Sequence, residues 1–295
     1  MNRLLIFGLG YSGRAVAEAA AADFAITATS RSVLPAAAAA PGASASGTGL
    51  AQVPFEAAED AIAAATHVLV TAAPDANGDP VLARYAAVLA AAPDLRWIGY
   101  MSSTVVHGDR GGAWVDEDTP PAPSQPRGVR RLEAERAWSA YAGRHAVDLF
   151  RLGGIYGPGR SAFDDLRAGT ARRMVKPGHR FGRIHRDDIG RAVATAMRQD
   201  PAPGVRVLNL VDDEPAESAA IVTEAARLLG CPPPPEIAWA DALPVLSPMA
   251  RSFWAENRAV RSQKTQRALG LRWLFPSFRE GLAAIQRHER GEGPV

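Results

Sequence analysis

The chain has 295 residues, enough for one large domain or two modest ones, and 47% of them are hydrophobic, as in ordinary packed proteins. Its formal net charge is only +2, which gives no electrostatic case for a nucleic-acid partner. The single cysteine, Cys231, excludes an intrachain disulfide and fits a reducing compartment. Because no apolar run approaches the ~20 residues of a membrane span, we predict a cytoplasmic protein without a membrane partner.

The first half of the chain alternates short apolar runs with helical patterns. An apolar run too short for a signal peptide predicts a strand over Arg3 to Phe7, and a glycine-rich turn follows it. Residues 35–49 are rich in Ala, Gly, Ser and Pro, which favours a loose connection. The remaining pattern predicts, in order, a helix over Arg14 to Ala22, strands over Phe24 to Thr29 and Ala51 to Val53, a helix over Glu56 to Ala65, a strand over His67 to Thr71, a helix over Val81 to Ala92 and a strand over Arg96 to Met101.

The second half continues the alternation. The pattern predicts a helix over Val129 to Gly143, a strand over Ala146 to Leu152, a helix over Asp187 to Arg198, a strand over Val205 to Leu210 and a helix over Ala216 to Leu229. Strands that alternate with helices indicate a parallel sheet with helices on both faces. The fold class is therefore predicted to be α/β, with a doubly wound parallel sheet.

A glycine-rich turn, Gly8-Leu9-Gly10-Tyr11-Ser12-Gly13, lies between the first strand and the first helix. In this position Gly8 permits a tight turn, Gly10 lets the backbone approach a pyrophosphate, and Gly13 permits close packing of helix on strand. The helix N-terminus then offers its amide groups and partial positive charge to the phosphates. We predict a Rossmann-type dinucleotide site made by Gly8, Gly10, Tyr11, Ser12 and Gly13, together with Ala72 and Ala73 after the fourth strand.

The end of the second strand indicates which dinucleotide binds. NAD sites usually carry an acidic residue there, and this chain has Thr29-Ser30-Arg31-Ser32 instead. A carboxylate would repel a 2′-phosphate, whereas Arg31 and the hydroxyl of Ser30 would bind it. We predict NADP(H) as the cofactor, with NAD(H) as the alternative if Arg31 is only a surface arginine.

The turn and the strand pattern together predict the domain organisation. A dinucleotide-binding Rossmann domain is expected over residues 1–154, completed by about 183–229. A smaller, interleaved C-terminal part, residues 155–182 and 230–295, is expected to bind the substrate.

Three further segments carry motifs in a recognisable order, over Met101 to Asp109, Arg151 to Gly159 and Arg183 to Ile189. They are similar, in turn, to the Ser-Ser-x-x-Val-Tyr-Gly-Asp, Arg-x-x-x-Ile-Tyr-Gly-Pro-Gly and late His-Val-Asp-Asp segments of the extended short-chain dehydrogenase/reductases, the NAD-dependent epimerase/dehydratase family. The resemblance covers nearly the whole chain. It implies an oxidoreductase or an epimerase/dehydratase-like protein that uses a nicotinamide dinucleotide.

The chain departs from that family in the helix that carries its Tyr-x-x-x-Lys pair. Pro126 to Glu135 resembles this helix, yet Arg127 stands in the place of the tyrosine and Arg131 in that of the lysine. Arginine, with a pKa above ~12, cannot replace tyrosine as an acid or base. Arg131 could still bind ribose or phosphate and Arg127 a substrate anion, unless both lie on a solvated helix face. In this respect the chain is similar to the atypical YeeZ-like group, which lacks the pair.

Other residues are candidates for the catalytic and substrate-binding roles. Ser103 matches the family's serine that hydrogen-bonds the substrate oxygen. Tyr156 and His185 are candidate proton donors, with a structural role as the alternative for each; Tyr156 is structural in most members of the resembled family. Arg160 and Arg183 are predicted to bind an anionic group of the substrate.

The sequence predicts no metal site. Asp164-Asp165 and Asp187-Asp188 have no histidine or cysteine ligands at suitable spacing, and Asp188 lies near a helix start, where a carboxylate acts as a cap.

Three functions stay open from the sequence. The first is an NADP(H)-binding oxidoreductase or epimerase/dehydratase-like enzyme with an atypical proton donor, acting on a small polar, sugar-like or anionic substrate. The second is a catalytically inactive dinucleotide-binding module that senses the cofactor, and the third is a nucleotide-sugar enzyme that uses the cofactor differently. The family resemblance also implies a homodimer through the helices over Val81 to Ala92 and Val129 to Gly143.

Overall fold

The computed structural model describes residues 2–30 and 50–293, and these form two compact units. The first unit contains the described residues of Met1–Ser103, Arg130–Arg151 and Ile189–Leu208, and the second those of Thr104–Val129, Leu152–Asp188 and Asn209–Val295. Arg31, the predicted ligand of the 2′-phosphate, and the predicted loose connection over 35–49 lie outside the described residues. The predicted division into a dinucleotide-binding domain and a substrate-binding part depends on which ligands bind, so it stays a prediction.

The secondary structure alternates for most of the chain. The strands are β1 Asn2–Phe7, β2 Phe24–Ser30, β3 Ala51–Pro54, β4 His67–Val70, β5 Trp97–Ser103, β6 Trp114–Val115, β7 Ala146–Leu152, β8 Gly154–Tyr156, β9 Arg173–Val175, β10 Arg183–His185, β11 Gly204–Leu210, β12 Glu236–Ala238 and β13 Ala259–Val260. The helices are α1 Tyr11–Ala20, α2 Glu59–Ala64, α3 Pro80–Ala91, α4 Pro126–Ser139, α5 Ala162–Arg167, α6 Arg186–Arg198, α7 Ser218–Leu229, α8 Trp239–Ala242, α9 Pro248–Trp254, α10 Gln263–Leu269 and α11 Phe278–Glu289.

The first unit is built on a sheet whose described strands have the order β11-β7-β5-β4-β1-β2-β3. The ladders of β1 with β2 and β4, of β2 with β3 and of β4 with β5 are parallel. Phe7 lies opposite both Thr29 and Val70, so these strands end at the same edge of the sheet. The strand order reverses between β1 and β4, the kind of point at which open α/β sheets bind ligands. The predicted Rossmann-type doubly wound sheet is confirmed.

Buried side chains hold the helices of the first unit on this sheet. An apolar cluster joins the strands to α2, α3 and α4, and Phe7, Tyr85 and Trp138 are its large, fully buried members. Asp79 begins α3 by accepting hydrogen bonds from the backbone N–H groups of Val81 and Leu82. Its second oxygen accepts from Trp138 Nε1 at 3.0 Å, so one carboxylate caps α3 and fastens α4 to it.

The second unit has its own apolar core between α5, α7 and α11. The core consists of buried, mutually packed side chains: Tyr156, Phe163, Ala216, Ile221, Ala225, Phe278, Leu282 and Ile285. Short parallel ladders of β8 with β10, β9 with β12 and β6 with β13 connect the remaining segments. Helix α7 ends at Gly230, whose φ of 70° is the left-handed conformation that favours glycine.

The predicted elements are present, with shifts at their ends. The first helix begins at Tyr11 rather than Arg14, because Gly10 is its N-cap. The helix predicted from Glu56 is only Glu59–Ala64, after a short 3₁₀ turn over Phe55–Ala57. The arginine-bearing helix begins at Pro126 rather than Val129, as suits proline in a first helical turn.

Among the described helices, none combines the length and the apolar character needed to cross a membrane. Cys231, the single cysteine of the sequence, is an exposed free thiol in the loop after α7.

Candidate functional site

The glycine-rich turn after β1 has a conformation that requires Gly8. Its φ is +100°, and an added Cβ would lie 2.6 Å from Thr71 Oγ1. The Gly8 N–H donates to Thr29 Oγ1 at 3.2 Å. The Thr71 hydroxyl donates to the carbonyls of Phe7 at 3.0 Å and Gly8 at 2.7 Å. Side chains at the ends of β2 and β4 therefore hold the turn in place.

The rest of the turn leaves space for a ligand. An added Cβ on Gly13 would overlap the carbonyl oxygen of Gly8, so α1 packs directly on the turn. In contrast, a Cβ on Gly10 would meet no atom of the described residues within 4 Å. The first turn of α1 carries no acidic residue, and the first N–H groups of a helix have no acceptor one turn back. These features fit a pyrophosphate, which would receive backbone hydrogen bonds and a favourable helix dipole.

Further predicted site residues follow or end strands of the same sheet. Ser30, predicted to bind the cofactor, is the last residue of β2, and Ser103, predicted to be catalytic, is the last of β5. Ala72 follows β4, with its backbone nitrogen 3.8 Å from the position of a Gly8 Cβ, and Ala73 beside it is exposed. Because Arg31 lies outside the described residues, the preference for NADP(H) over NAD(H) stays a prediction.

A buried ion pair lies behind the end of β5. Glu135 on α4 accepts from Arg151 Nε at 3.0 Å and Nη2 at 2.8 Å, and from Ser102 Oγ at 2.6 Å. Arg151 and Glu135 are almost fully buried, and so is Ser102. The Ser102 hydroxyl is thus committed to this network. Its neighbour Ser103 is part-exposed, which keeps Ser103 as the predicted serine for a substrate oxygen.

Arg131 is bound to β5. Its Nη1 donates to the Met101 carbonyl at 2.7 Å and to Tyr100 Oη at 3.1 Å. Burial raises the pKa of Tyr100 to about 12, and the nearby Arg131 charge only partly opposes the shift. Tyr100 is fully buried, so this phenol does not replace the missing acid. The role of Arg131 at a cofactor stays a prediction.

Arg127 lies four residues earlier on α4. Within the second unit its guanidinium stacks over the ring of Phe253, with 4.7 Å between Cζ and the ring centroid. Phe253 on α9 is 45% exposed, so this stack is open to solvent on one side. The predicted contact of Arg127 with a substrate anion stays a prediction.

The second unit contains a cavity of about 450 Å³. Three predicted site residues, Tyr156, Arg160 and Arg183, line it together. The other lining residues were not predicted from the sequence: Ile155, Gly159, Ser161, Ala162, Asp164, Asp165, Ser218, Ile221, Val222, Phe278 and Leu282. A cavity of this size suits a small organic ligand.

Arg183 is the electrostatic centre of this cavity. Its Nη1 donates to the carbonyls of Phe181 at 3.2 Å and Ala216 at 3.4 Å. Burial lowers the pKa of Arg183 to about 10, so it is charged at neutral pH. The nearby carboxyl of Asp212 is buried, and burial raises its pKa well above the usual range although the Arg183 charge opposes the shift. Among the described residues, Asp212 makes no ion pair with Arg183, and neither oxygen of its carboxyl group has a hydrogen-bond partner.

Tyr156 forms part of the cavity wall. Its hydroxyl donates to the Ser277 carbonyl at 3.4 Å, and a Cβ on Gly281 would overlap this hydroxyl. Burial raises the pKa of Tyr156, and the nearby carboxylates of Asp212 and Asp188 add to the shift. Such a phenol gives up its proton less readily than free tyrosine. The geometry supports the structural alternative, and the catalytic role stays a prediction.

His185 is fully buried beneath Tyr156. Its ring meets that of Tyr156 edge-on at 5.2 Å and lies 4.2 Å from the ring of Phe275, measured between centroids. Nδ1 accepts from the Asp187 N–H at 3.3 Å, and Nε2 has no hydrogen-bond partner among the described residues. Burial lowers the pKa of His185 to about 3, and Arg186 adds to the effect. His185 is therefore neutral at pH 7 and does not line the cavity; its catalytic role stays a prediction.

We expect His185 to make the fold acid-sensitive. Its pKa is lower in the folded chain than in the unfolded chain, so its contribution to stability is complete above about pH 6.5 and is lost as the pH falls towards about 3. His185→Gln should reduce the loss of unfolding free energy between pH 7 and about pH 4.5 by at least about 1 kcal/mol. Urea unfolding at both pH values measures this loss, with exposed His288→Gln as the control. An unchanged loss in His185→Gln would contradict the assignment.

The acidic pairs serve structural purposes. Asp164 closes a capping box with Ser161 at the start of α5. The two oxygens of Asp188 accept from the backbone N–H groups of Leu274 at 2.8 Å and Phe275 at 3.0 Å. The described residues contain no group of three or more histidine, cysteine or acidic side chains arranged to hold a metal ion.

Comparison with curated proteins gives two informative relatives. A 3-diazoavenalumate denitrifying reductase from a Streptomyces species is 30% identical over 228 residues, which are 74% of this chain and 62% of that protein. Protein YeeZ from Escherichia coli K12 is 33% identical over 135 residues, 46% of this chain and 47% of that protein. The chain thus spans less than two thirds of either relative. No model of a known protein family matches it.

Comparison with solved structures extends the similarity to the whole chain. A conserved protein of unknown function from Silicibacter pomeroyi is 40% identical, with a TM-score of 0.87 over 98% of this chain and 99% of that one. The human epimerase family protein SDR39U1, solved with NADPH, is 19% identical, with a TM-score of 0.74 over 96% of this chain and 98% of that one. At this lower identity the likeness concerns the fold.

Proposed function

We propose that this chain, which belongs to the atypical, YeeZ-like branch of the epimerase/dehydratase short-chain dehydrogenase/reductases, is a nicotinamide-dinucleotide-dependent reductase. The observation that carries the proposal is the turn of Gly8, Gly10 and Gly13, with open space at Gly10 and an acid-free helix start. Solved structures of the same fold that contain NAD or NADPH support it. Because the sequence around Arg31 lacks an acidic residue, NADP(H) is favoured over NAD(H) as the dinucleotide.

The missing tyrosine limits the reactions that this site can catalyse. A bound reduced nicotinamide supplies a hydride. Hydride addition to a carbonyl carbon leaves an oxygen anion that needs a proton, and neither Arg127 nor Arg131 can release one near neutral pH. The buried phenols of Tyr100 and Tyr156 have raised pKa values. The site therefore suits an acceptor whose reduction needs a hydride but no proton.

Reductive loss of dinitrogen is a reaction of this kind. In a diazonium group the hydride forms the new carbon–hydrogen bond, and the electrons of the carbon–nitrogen bond leave with N₂, so no proton enters. The similarity to a 3-diazoavenalumate denitrifying reductase supports this reaction class for the present chain. Epimerase or dehydratase activity is less well supported, because those reactions also move protons.

A matched pair of acceptors tests the proposal. We expect the protein to bind NADPH and to oxidise it with 4-carboxybenzenediazonium at least about tenfold faster than with 4-formylbenzoate, since only the aldehyde needs a proton. Reaction with NADPH deuterated at the transferred position should place deuterium in the benzoate product. Calorimetric titration with NADPH, NADP⁺, NADH and NAD⁺ measures the preference that Arg31 predicts, and an enzyme-free reaction is the control.

The results separate the reductase from the inactive alternative. Tight dinucleotide binding without turnover of either acceptor would favour the cofactor-sensing module, especially if NADPH and NADP⁺ bind with different affinities. Faster reduction of the aldehyde would show that a proton donor exists and would contradict the proposed chemistry. Absence of binding by all four dinucleotides would rule out both functions.

A further inference from the structure

The lining of the cavity in the second unit combines two chemical types. Ile221, Val222, Phe278 and Leu282, from α7 and α11, supply apolar side chains, the α7–α11 wall. The polar lining residues, called here the polar wall, include Arg160, Arg183, Ser161 and Ser218, of which Ser218 is the first residue of α7. A ligand that fills such a cavity needs an apolar body and a polar or charged end.

The charges of the polar wall favour an anion. Asp164 lines the cavity, but its carboxylate accepts from the Ser161 N–H and Oγ, each at 2.7 Å, in the capping box of α5. Asp165 is exposed. Among the described residues, the Arg183 guanidinium donates to two neutral carbonyls and lies over the Phe181 ring, with 5.6 Å between Cζ and the ring centroid. Its buried neighbour Asp212 forms no ion pair with it in this part of the chain, so no described carboxylate binds the guanidinium directly.

We propose that this cavity binds a carboxylate with an apolar body, with Arg183 holding the carboxylate and the α7–α11 wall covering the body. Arginine is suited to this role because its planar fork binds both oxygens of a carboxylate. Exposed Arg160, at the rim, adds positive charge. The inference rests on the proposed function only in calling this ligand a substrate, and binding itself needs no dinucleotide.

Calorimetry without dinucleotide tests the cavity separately from the reductase. We expect 3-phenylpropanoate to bind at least about tenfold more tightly than its amide, because a charge-assisted hydrogen bond is roughly twice as strong as a neutral one. Arg183→Gln should weaken 3-phenylpropanoate binding by about tenfold or more. The control Arg172→Gln removes the same charge from an exposed position outside the cavity and should leave the affinity unchanged.

A second variant covers the case in which Arg183→Gln does not fold. Ser218→Phe puts a ring into the cavity from the first turn of α7, and it should abolish binding of 3-phenylpropanoate while the protein stays folded by circular dichroism. Equal affinities for acid and amide, undiminished binding in Ser218→Phe, or no binding of the acid up to its solubility limit would each overturn the proposal. The reductase would be judged separately, by the titrations with dinucleotides.

Discussion

Glu135→Ala is expected to lower the free energy of unfolding by about 3–5 kcal/mol. Removing this carboxylate leaves the Arg151 guanidinium buried without a counter-charge, and it also takes the acceptor from Ser102 Oγ. Among the described residues, Arg151 Nη1 already has no hydrogen-bond partner, so the guanidinium would lose its one described counter-charge. Urea unfolding at pH 7, followed by circular dichroism, measures the loss.

Two variants show whether the loss comes from the uncompensated charge. Glu133→Ala changes an exposed glutamate on the same helix and should alter stability by less than about 0.5 kcal/mol. The double variant Glu135→Leu with Arg151→Met replaces the pair by apolar side chains and should recover most of the loss. A loss of under about 1 kcal/mol in Glu135→Ala would show that solvent reaches Arg151 more easily than its burial implies.

The Rossmann-type sheet was predictable because its signals are local. Apolar runs such as Arg3 to Phe7 can be buried on both faces only in a sheet covered by helices. The residues at which helices and strands begin and end were less predictable, because they depend on backbone geometry. Gly10 takes an extended conformation as the N-cap of α1, and this places Tyr11, Ser12 and Gly13 inside the helix.

The two parts of the candidate site differed in how far the sequence could define them. The glycine-rich turn is contiguous, so one motif contains the residues that we predict to face the pyrophosphate. The cavity of the second unit combines segments around 155–165, Arg183, 218–222 and 278–282. The positive charge of arginine suggested Arg160 and Arg183 as ligands of a substrate anion. No local sequence pattern distinguishes Phe278 or Leu282 from other core residues. The Ser161-x-x-Asp164 capping box was the one local signal that could have located another part of its wall.

The substitutions at Arg127 and Arg131 have a structural consequence that the sequence did not show. Arg131 binds a backbone carbonyl of β5 and the phenol of Tyr100, so its charge also serves to hold α4 on the sheet. Arg127 is instead stacked on Phe253. The two positions that form one catalytic pair in the resembled enzymes thus have different surroundings here. This difference supports a reaction that needs no proton from them.

Gly10→Val is expected to abolish dinucleotide binding while the protein stays folded. Gly10 has a φ of −80°, which valine can adopt, and an added Cβ meets nothing within 4 Å. The fold should therefore lose only about 1 kcal/mol, from a poorer N-cap of α1. A branched side chain would fill the space that a pyrophosphate needs and hold it away from the amides of α1. We expect the affinity for NADPH to fall by about 100-fold or more, as measured by calorimetry.

Gly143→Val is the matched control for this variant, because a Cβ on Gly143 also meets nothing within 4 Å, far from the turn in sequence. It should keep the affinity of the parent protein. Gly8→Val differs from both, since the φ of +100° and the nearby Thr71 hydroxyl make any side chain unfavourable there, and it should destabilise the fold as well as weaken binding. If Gly10→Val bound NADPH as tightly as the parent protein, the dinucleotide would have to bind elsewhere, and the reductase proposal would lose its main support.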